Sequence, residues 1–303
     1  MRKPNRVVVR AAAKVNLSLK VGGLQADGYH PVETLYQAVD LFDEVTVTNA
    51  TGIQLSFTGE SADLVPADST NLAWRAAQLL ADHAGVPAGV KIEIHKEIPV
   101  AGGMAGGSAD AAGTLIACDL LWGLETPRSE ILQLASQLGS DIPFSLVGGI
   151  ELGRGRGDEL TTVMNRGEYH WVFVLSSEGL STPAVYAEFD RLQEAKADFQ
   201  INPELLRAVA AGDVKQAAKY LENDLQPAAL SLRPDLKRVL QAGIEAGAWA
   251  ALVSGSGPTC AFLAKSSNAA LDLSIELQAS GLVRRTAIAN GPVPGTQVIA
   301  IDY

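Results

Sequence analysis

The chain has 303 residues, 47% of them hydrophobic and 19% charged, with a formal net charge of −10. That balance excludes a disordered or fibrous protein, and the length suggests two lobes or domains. The acidic excess argues against long-range attraction to nucleic acid or an anionic membrane, so any phosphate chemistry requires positive charge concentrated locally. No apolar run reaches the length of a membrane span, and the apolar stretch at 7–9 is too short for a signal-peptide core. Cys118 and Cys260 each sit in an apolar run without a nearby cysteine or histidine. They read as buried free thiols, which implies a reducing, cytoplasmic setting. His83, His95 and His170 lack metal-ligand spacing.

The first third reads mainly as strands. Segments 7–9, 15–21, 44–48, 53–57 and 90–95 are short and rich in β-branched residues, and Val45/Val47 and Ile92/Ile94 alternate with polar residues. A helix is predicted over 71–83, with Leu72, Ala76, Leu79 and Leu80 on its apolar face and Gly85 after its end. A glycine loop at 101–107 runs into a helix over 108–121. Thr126 and Pro127 open another helix, which Gly139 closes. The runs 148–149 and 153–157 are turn chemistry. The second half opens with a strand at 171–175, followed by helices over 203–211, 215–225 and 234–246. Strands at 250–253 and 260–264, a helix over 268–280 and strands at 284–288 and 297–301 complete the chain. This mixed order favours an α+β fold over a regular doubly wound sheet. A lobe boundary falls near 155–168, giving residues 1–160 and 161–303.

The most informative stretch is Pro-Val-Ala-Gly-Gly-Met-Ala-Gly-Gly-Ser-Ala-Asp-Ala-Ala-Gly at 99–113. A strand precedes it, Pro99 stiffens its entry, four glycines clear side chains from the backbone, and Ser108 stands at the mouth of a helix that begins with small residues. The first N–H groups of a helix lack partners within it and, with the helix dipole, form an anion site. A phosphate chain suits such a loop, and the Ser108 hydroxyl is a candidate ligand for a magnesium ion or a phosphate oxygen. A Walker-type loop is excluded because no Gly-Lys-Ser/Thr follows. The glycine spacing also departs from the dinucleotide fingerprint, and the strand that fingerprint needs before an acidic residue near Glu125 is missing.

The loop resembles the signature of the superfamily of galactokinase, homoserine kinase, mevalonate kinase and phosphomevalonate kinase. Three further segments carry the same resemblance: Ala-Lys-Val-Asn-Leu at 13–17 with Asp-Gly-Tyr-His at 27–30, Leu-Gly-Ser-Asp-Ile-Pro-Phe at 138–144, and Ser-Gly-Ser-Gly-Pro-Thr at 254–259. Within that superfamily, segments 14–16, 27–30 and 181–186 are similar to the branch that phosphorylates 4-diphosphocytidyl-2-C-methyl-D-erythritol. The resemblance implies a two-lobed α+β kinase fold with ATP and substrate in the cleft between lobes. It further implies transfer of the ATP γ-phosphate to the 2-hydroxyl of a substrate bearing cytidine diphosphate, in non-mevalonate isoprenoid precursor synthesis. ATP and Mg2+ are the implied cofactors, and a monomer or weak homodimer is expected. Some relatives carry a second serine where this chain has Ala109, which removes one hydroxyl from the loop.

By the same resemblance, Asp141 takes the proton of the acceptor hydroxyl and Lys14 stabilises the developing charge beside it. Read from the residues alone, Asp141 serves equally well as a turn cap before Pro143, and Lys14 as a strand-edge lysine. ATP binding is expected at Pro99, Ala101, Gly102, Gly103, Met104, Ala105, Gly106, Gly107 and Ser108, with Asn71 and Lys96 around the base. Asn71 also suits a plain helix cap. Substrate contacts are expected from Asn16, Tyr29, His30, Thr182 and Tyr186, the aromatic residues holding the cytosine. Without the resemblance, Tyr29 and His30 are the tail of a hairpin turn. The glycine motif at 254–257 is either a closure around phosphates or a tight turn between two strands. The rival functions are another small-alcohol kinase, such as a homoserine or mevalonate kinase, and a non-catalytic ligand sensor on the same fold.

Overall fold

A computed structural model describes residues 3–59, 62–100, 102–176, 178–192 and 199–303. Two antiparallel-dominated sheets organise it. The larger contains β1 (Arg6–Val21), β2 (Val32–Asn49), β3 (Ile53–Gly59), β4 (Val90–Lys96), β5 (Ile150–Arg154) and β6 (Glu159–Thr162). Its backbone order is β12-β1-β2-β4-β3, where β12 (Gln297–Asp302) is the last strand of the chain; β5 pairs with β2 and β6 with β5. The smaller sheet runs β11-β7-β10-β9, from β7 (Tyr169–Val174), β9 (Ala250–Val253), β10 (Cys260–Ala264) and β11 (Thr286–Gly291). A two-residue strand, β8 (Glu222–Asn223), lies parallel to β1.

β1 and β2 are longer than their patterns suggest. The alternation needed to read residues 32–43 as strand is absent, because both faces are covered over Thr34–Val39, where every residue is buried. β1 carries two register shifts against β2, between Ala12 and Ala13 and between Asn16 and Ser18. Such bulges twist a strand and redirect its side chains. Here they flank Lys14.

The helices α1 (Leu72–Ala84), α2 (Gly106–Trp122) and α3 (Arg128–Leu138) pack on one face of the larger sheet. Asn71 caps α1 by accepting the Ala73 N–H at 2.8 Å, and Gly85 ends the helix at φ 65°. α2 is buried on most sides, which suits its run of alanines and Gly113 against Val45. The helices α4 (Ile142–Val147), α5 (Thr182–Leu192) and α8 (Gln226–Leu232) were not legible in the sequence. α6 (Pro203–Ala211) forms as expected, with Asn202 capping and Gly212 closing it. The helix expected over 215–225 does not form as one piece. α7 (Val214–Ala217) stops after one turn, and the Asn223 side chain instead donates to the carbonyls of Val253 and Gly255 and accepts the Leu225 N–H. α9 (Asp235–Glu245) and α10 (Ser267–Ala279) cover the smaller sheet. Among the described residues, no helix is long and apolar enough to cross a membrane.

Candidate active site

A cavity of about 950 Å³ opens where the two sheets meet. β1 contributes Lys14 and Asn16, the glycine loop lies along one wall, and α5 and the 254–259 turn supply another. Asp141, the residue before α4, completes the circle.

The glycine loop is held through its carbonyls from two directions. The Lys14 N–H donates to the Met104 carbonyl at 3.2 Å, and the Ser254 hydroxyl donates to the Gly103 carbonyl at 3.1 Å. Gly103 (φ 75°) and Ala105 (φ 61°) both occupy the left-handed region. For Ala105 that conformation costs on the order of 1 kcal/mol, and it turns the chain directly into α2. α2 opens at Gly106, two residues earlier than expected, so Ser108 lies inside the first turn rather than at its mouth. Gly107 is solvent-exposed and Ser108 half-buried, both on the cavity side. A Cβ added to Gly107 would meet only Leu72 at 3.7 Å, which leaves the α2 N-terminus open to an anion.

Facing the loop, the Lys14 ammonium donates to Asn16 Oδ1 at 2.7 Å and lies 3.9 Å from Asp141 Oδ2. Asn16 in turn donates to the Thr34 hydroxyl at 2.8 Å, so the lysine sits at the end of a buried chain of donors. Burial pulls the Lys14 ammonium below the ordinary lysine range, while the Asp141 charge pulls it back up. The Asp141 side chain is one-third exposed. Although it precedes α4, it makes no side-chain cap to that helix.

The distal end of the cavity is aromatic. Tyr29 is 54% exposed, with the Arg156 guanidinium 3.8 Å over its ring and Asp27 paired to Arg156 at 3.1 Å. His30 Nδ1 lies 2.8 Å from the Gly22 carbonyl, which fixes its ring 5.1 Å from that of Tyr186. Burial and the nearby Asp141 charge push the Tyr186 phenol up to about 12. The Thr182 hydroxyl lies 2.9 Å from that of Ser256 and joins α5 to the 254–259 turn.

The structure therefore brings Lys14, Asn16, Tyr29, His30, Asp141, Thr182 and Tyr186 to one cavity, together with Pro99, Gly102, Gly103, Ala105, Gly106, Gly107 and Ser108. Three expected residues are placed differently. Met104 turns its side chain into the core. Asn71 spends its side chain on the α1 cap and on the Pro66 carbonyl. Lys96 is buried and ion-paired to Asp43 and, at 2.6 Å, to Asp110, beneath the loop rather than in the cavity. Ala101 lies outside the described residues. Among the cavity residues missed from the sequence, two stand out. Tyr36 was hidden in an unbroken buried strand, and Arg156 in a glycine run read as a turn.

Two family models match the chain: the GHMP kinases N-terminal domain over residues 71–149 and the GHMP kinases C-terminal domain over 205–280. The 4-diphosphocytidyl-2-C-methyl-D-erythritol kinase of Mycolicibacterium smegmatis is 54% identical over 97% of this chain and 92% of its own length. That of Mycobacterium tuberculosis is 52% identical over 97% and 93%. A crystal structure of a 4-(cytidine 5'-diphospho)-2C-methyl-D-erythritol kinase aligns at TM-score 0.75 and 32% identity, covering 93% of this chain and 98% of that one. A homoserine kinase from Cytophaga hutchinsonii, at TM-score 0.78 and 18% identity over 99% of both chains, shares the fold.

Proposed function

Because the chain belongs to the 4-diphosphocytidyl-2-C-methyl-D-erythritol kinases of the GHMP family, we propose that its cavity transfers the ATP γ-phosphate to the 2-hydroxyl of that cytidine diphosphate substrate, in isoprenoid precursor synthesis. The observation that carries the reading is the Lys14–Asp141 pair, 3.9 Å apart, facing the open N-terminus of α2 across one cavity.

The roles follow from position. The glycine loop from residue 99 to 108 receives the triphosphate, whose oxygens meet the free N–H groups of the first turn of α2. Asp141 Oδ2 orients the acceptor hydroxyl and takes its proton as the new O–P bond forms and the bond from the γ-phosphorus to the bridging oxygen breaks. The Lys14 ammonium, fixed by Asn16, stabilises negative charge on the acceptor and on the transferring group. A water-poor setting strengthens that attraction. Tyr29, His30 and Tyr186 hold the cytosine, with Thr182 as a polar contact, so residues 161–303 complete a cleft whose loop and reacting pair come from residues 1–160. The Ser108 hydroxyl, half-buried on the cavity wall, is suited to hold a magnesium ion, and such an ion supplies neutralisation of phosphate charge when bound. Both cysteines are buried and free, which supports a cytoplasmic setting.

The test is ADP release by the purified chain with ATP and magnesium, offering the cytidine diphosphate methylerythritol, homoserine and mevalonate in parallel. Turnover on the cytidine substrate alone supports the reading. Turnover on another alcohol keeps the kinase and removes the substrate assignment. Silence on all three, with ATP still bound, favours an untested substrate or a sensor.

A further inference from the structure

The reacting carboxylate has a neighbour that the preceding roles leave unused. The Tyr36 hydroxyl donates a hydrogen bond to Asp141 Oδ1 at 3.0 Å. Asp141 Oδ2, the other oxygen, is the one that faces Lys14. Of the two carboxylate oxygens, one is therefore held and the other is left for the acceptor hydroxyl.

The Tyr36 ring is itself immobilised. It is 3% exposed and stacks on Phe144 of α4 at 4.8 Å between ring centroids. Gly153 and Gly157 make room for it. A Cβ on Gly153 would come within 2.8 Å of the ring, and one on Gly157 within 2.5 Å of the hydroxyl oxygen. On the sheet, Tyr36 stands directly opposite Asn16, the residue that fixes Lys14. The Lys14 ammonium lies 5.8 Å from the centre of the Tyr36 ring. One cross-strand pair thus anchors both partners of the reacting pair, Asn16 on the lysine side and Tyr36 on the carboxylate side. Burial, with the Asp141 charge beside it, holds the Tyr36 phenol well above its ordinary range, so it stays protonated and remains the donor. Asp141 makes no side-chain bond to α4, so the tyrosine is not duplicating a helix cap.

We propose that Tyr36 is a positioning residue: its hydroxyl fixes the rotation of the Asp141 carboxylate so that Oδ2 meets the acceptor hydroxyl. This rests on Asp141 acting as the proton acceptor in the function given above. A misdirected carboxylate binds both substrates as before but reaches the transition state less often, so the effect belongs in kcat.

The experiment is Tyr36→Phe in the full chain, assayed with ATP, magnesium and the cytidine diphosphate methylerythritol. Removing one hydrogen bond to a charged group predicts a fall in kcat of about tenfold or more, with both KM values within about twofold of wild type. The ring and its stack on Phe144 are retained, and a melting curve confirms the fold. In an Asp141→Asn background the same change adds less than about twofold, because the group it acts through is gone. Three results overturn the proposal: an unchanged kcat, a loss confined to the KM of the cytidine substrate, or a full further loss on top of Asp141→Asn. A wild-type chain inactive on the cytidine substrate removes the function reading and this inference together. An active wild type with an equally active Tyr36→Phe removes only the inference.

Discussion

The Ser254 carbonyl oxygen stands 2.2 Å from the point a Cβ on Gly103 would occupy. Glycine is what lets the glycine loop and the 254–259 turn touch, and the same contact aligns both with Lys14 through the bonds at Met104 and Gly103. Gly103 also has φ 75°, a conformation that alanine resists.

Gly103→Ala therefore forces the loop away from residues 254–257. The expected outcome is a KM for ATP raised roughly five- to 150-fold, the equivalent of about 1–3 kcal/mol of displaced or strained backbone. Steady-state kinetics against ATP, read beside a melting curve, check it. A variant with wild-type ATP kinetics would show that the loop can be displaced without consequence.

Lys14 gives a pH prediction. In the proposed mechanism it acts as a cation, and burial favours its neutral form, so its charge is lost at a lower pH than that of a free lysine; the Asp141 charge limits but does not reverse this. Turnover should decline on the alkaline side below the ordinary lysine range. Lys14→Arg keeps a charge that does not titrate there. Its kcat should be lower, but its alkaline limb should move to higher pH or disappear. A limb in the same place would assign that titration to another group.

The Lys96 cluster predicts stability effects. Lys96→Met leaves Asp43 and Asp110 buried without their cation and should cost about 3–5 kcal/mol, read by urea unfolding. Asp110 carries the pH dependence. Burial raises its carboxyl well above the usual range, only partly offset by Lys96. The folded chain thus holds that proton more tightly than the unfolded chain. The group's contribution to stability falls as pH rises from the unfolded carboxylate range through the folded value. Asp110→Asn lacks that titration, so its stability relative to wild type should improve as pH rises across that window. A pH-independent difference between the two would contradict the assignment.

Tyr29 is exposed, and its ring borders the cavity. Tyr29→Ala should leave the melting temperature unchanged. It should raise the KM of the cytidine substrate roughly five- to 150-fold, the equivalent of 1–3 kcal/mol of base stacking. An equal rise in the KM for ATP would place Tyr29 at the other end of the cavity.

Residues whose chemistry is local were legible before the structure. The glycines of the loop, the lysine in an alanine run and the aspartate before Pro143 announce themselves within a few positions. The caps of α1 and α6 were equally readable, since Asn71 and Asn202 each bond an N–H two residues on. What escaped depends on partners far away in the chain. Tyr36 sits in a strand buried on both faces, where no alternation marks it, and its partner is 105 positions distant. Arg156 lies among glycines, and only the approach of Tyr29 shows what it touches. Lys96 reads as an available cation until Asp43 and Asp110 close on it. The helix expected over 215–225 has adequate propensity, but the bonds from Asn223 to the 253–255 segment outweigh it.

The pairing of β12 with β1 sets the order in which this molecule can be assembled. Arg6 stands opposite Asp302, and their side chains bond at 2.9 Å across a sequence separation of 296. One edge of β1 over Arg6–Arg10 can be covered only once residues 297–302, nearly three hundred positions away, have reached it. Contacts of such separation are slow to form, and an unpaired strand edge invites association with other chains. The strand that carries Lys14 therefore keeps an open edge over Arg6–Arg10 until the 297–302 segment docks, and the bond between Arg6 and Asp302 closes it.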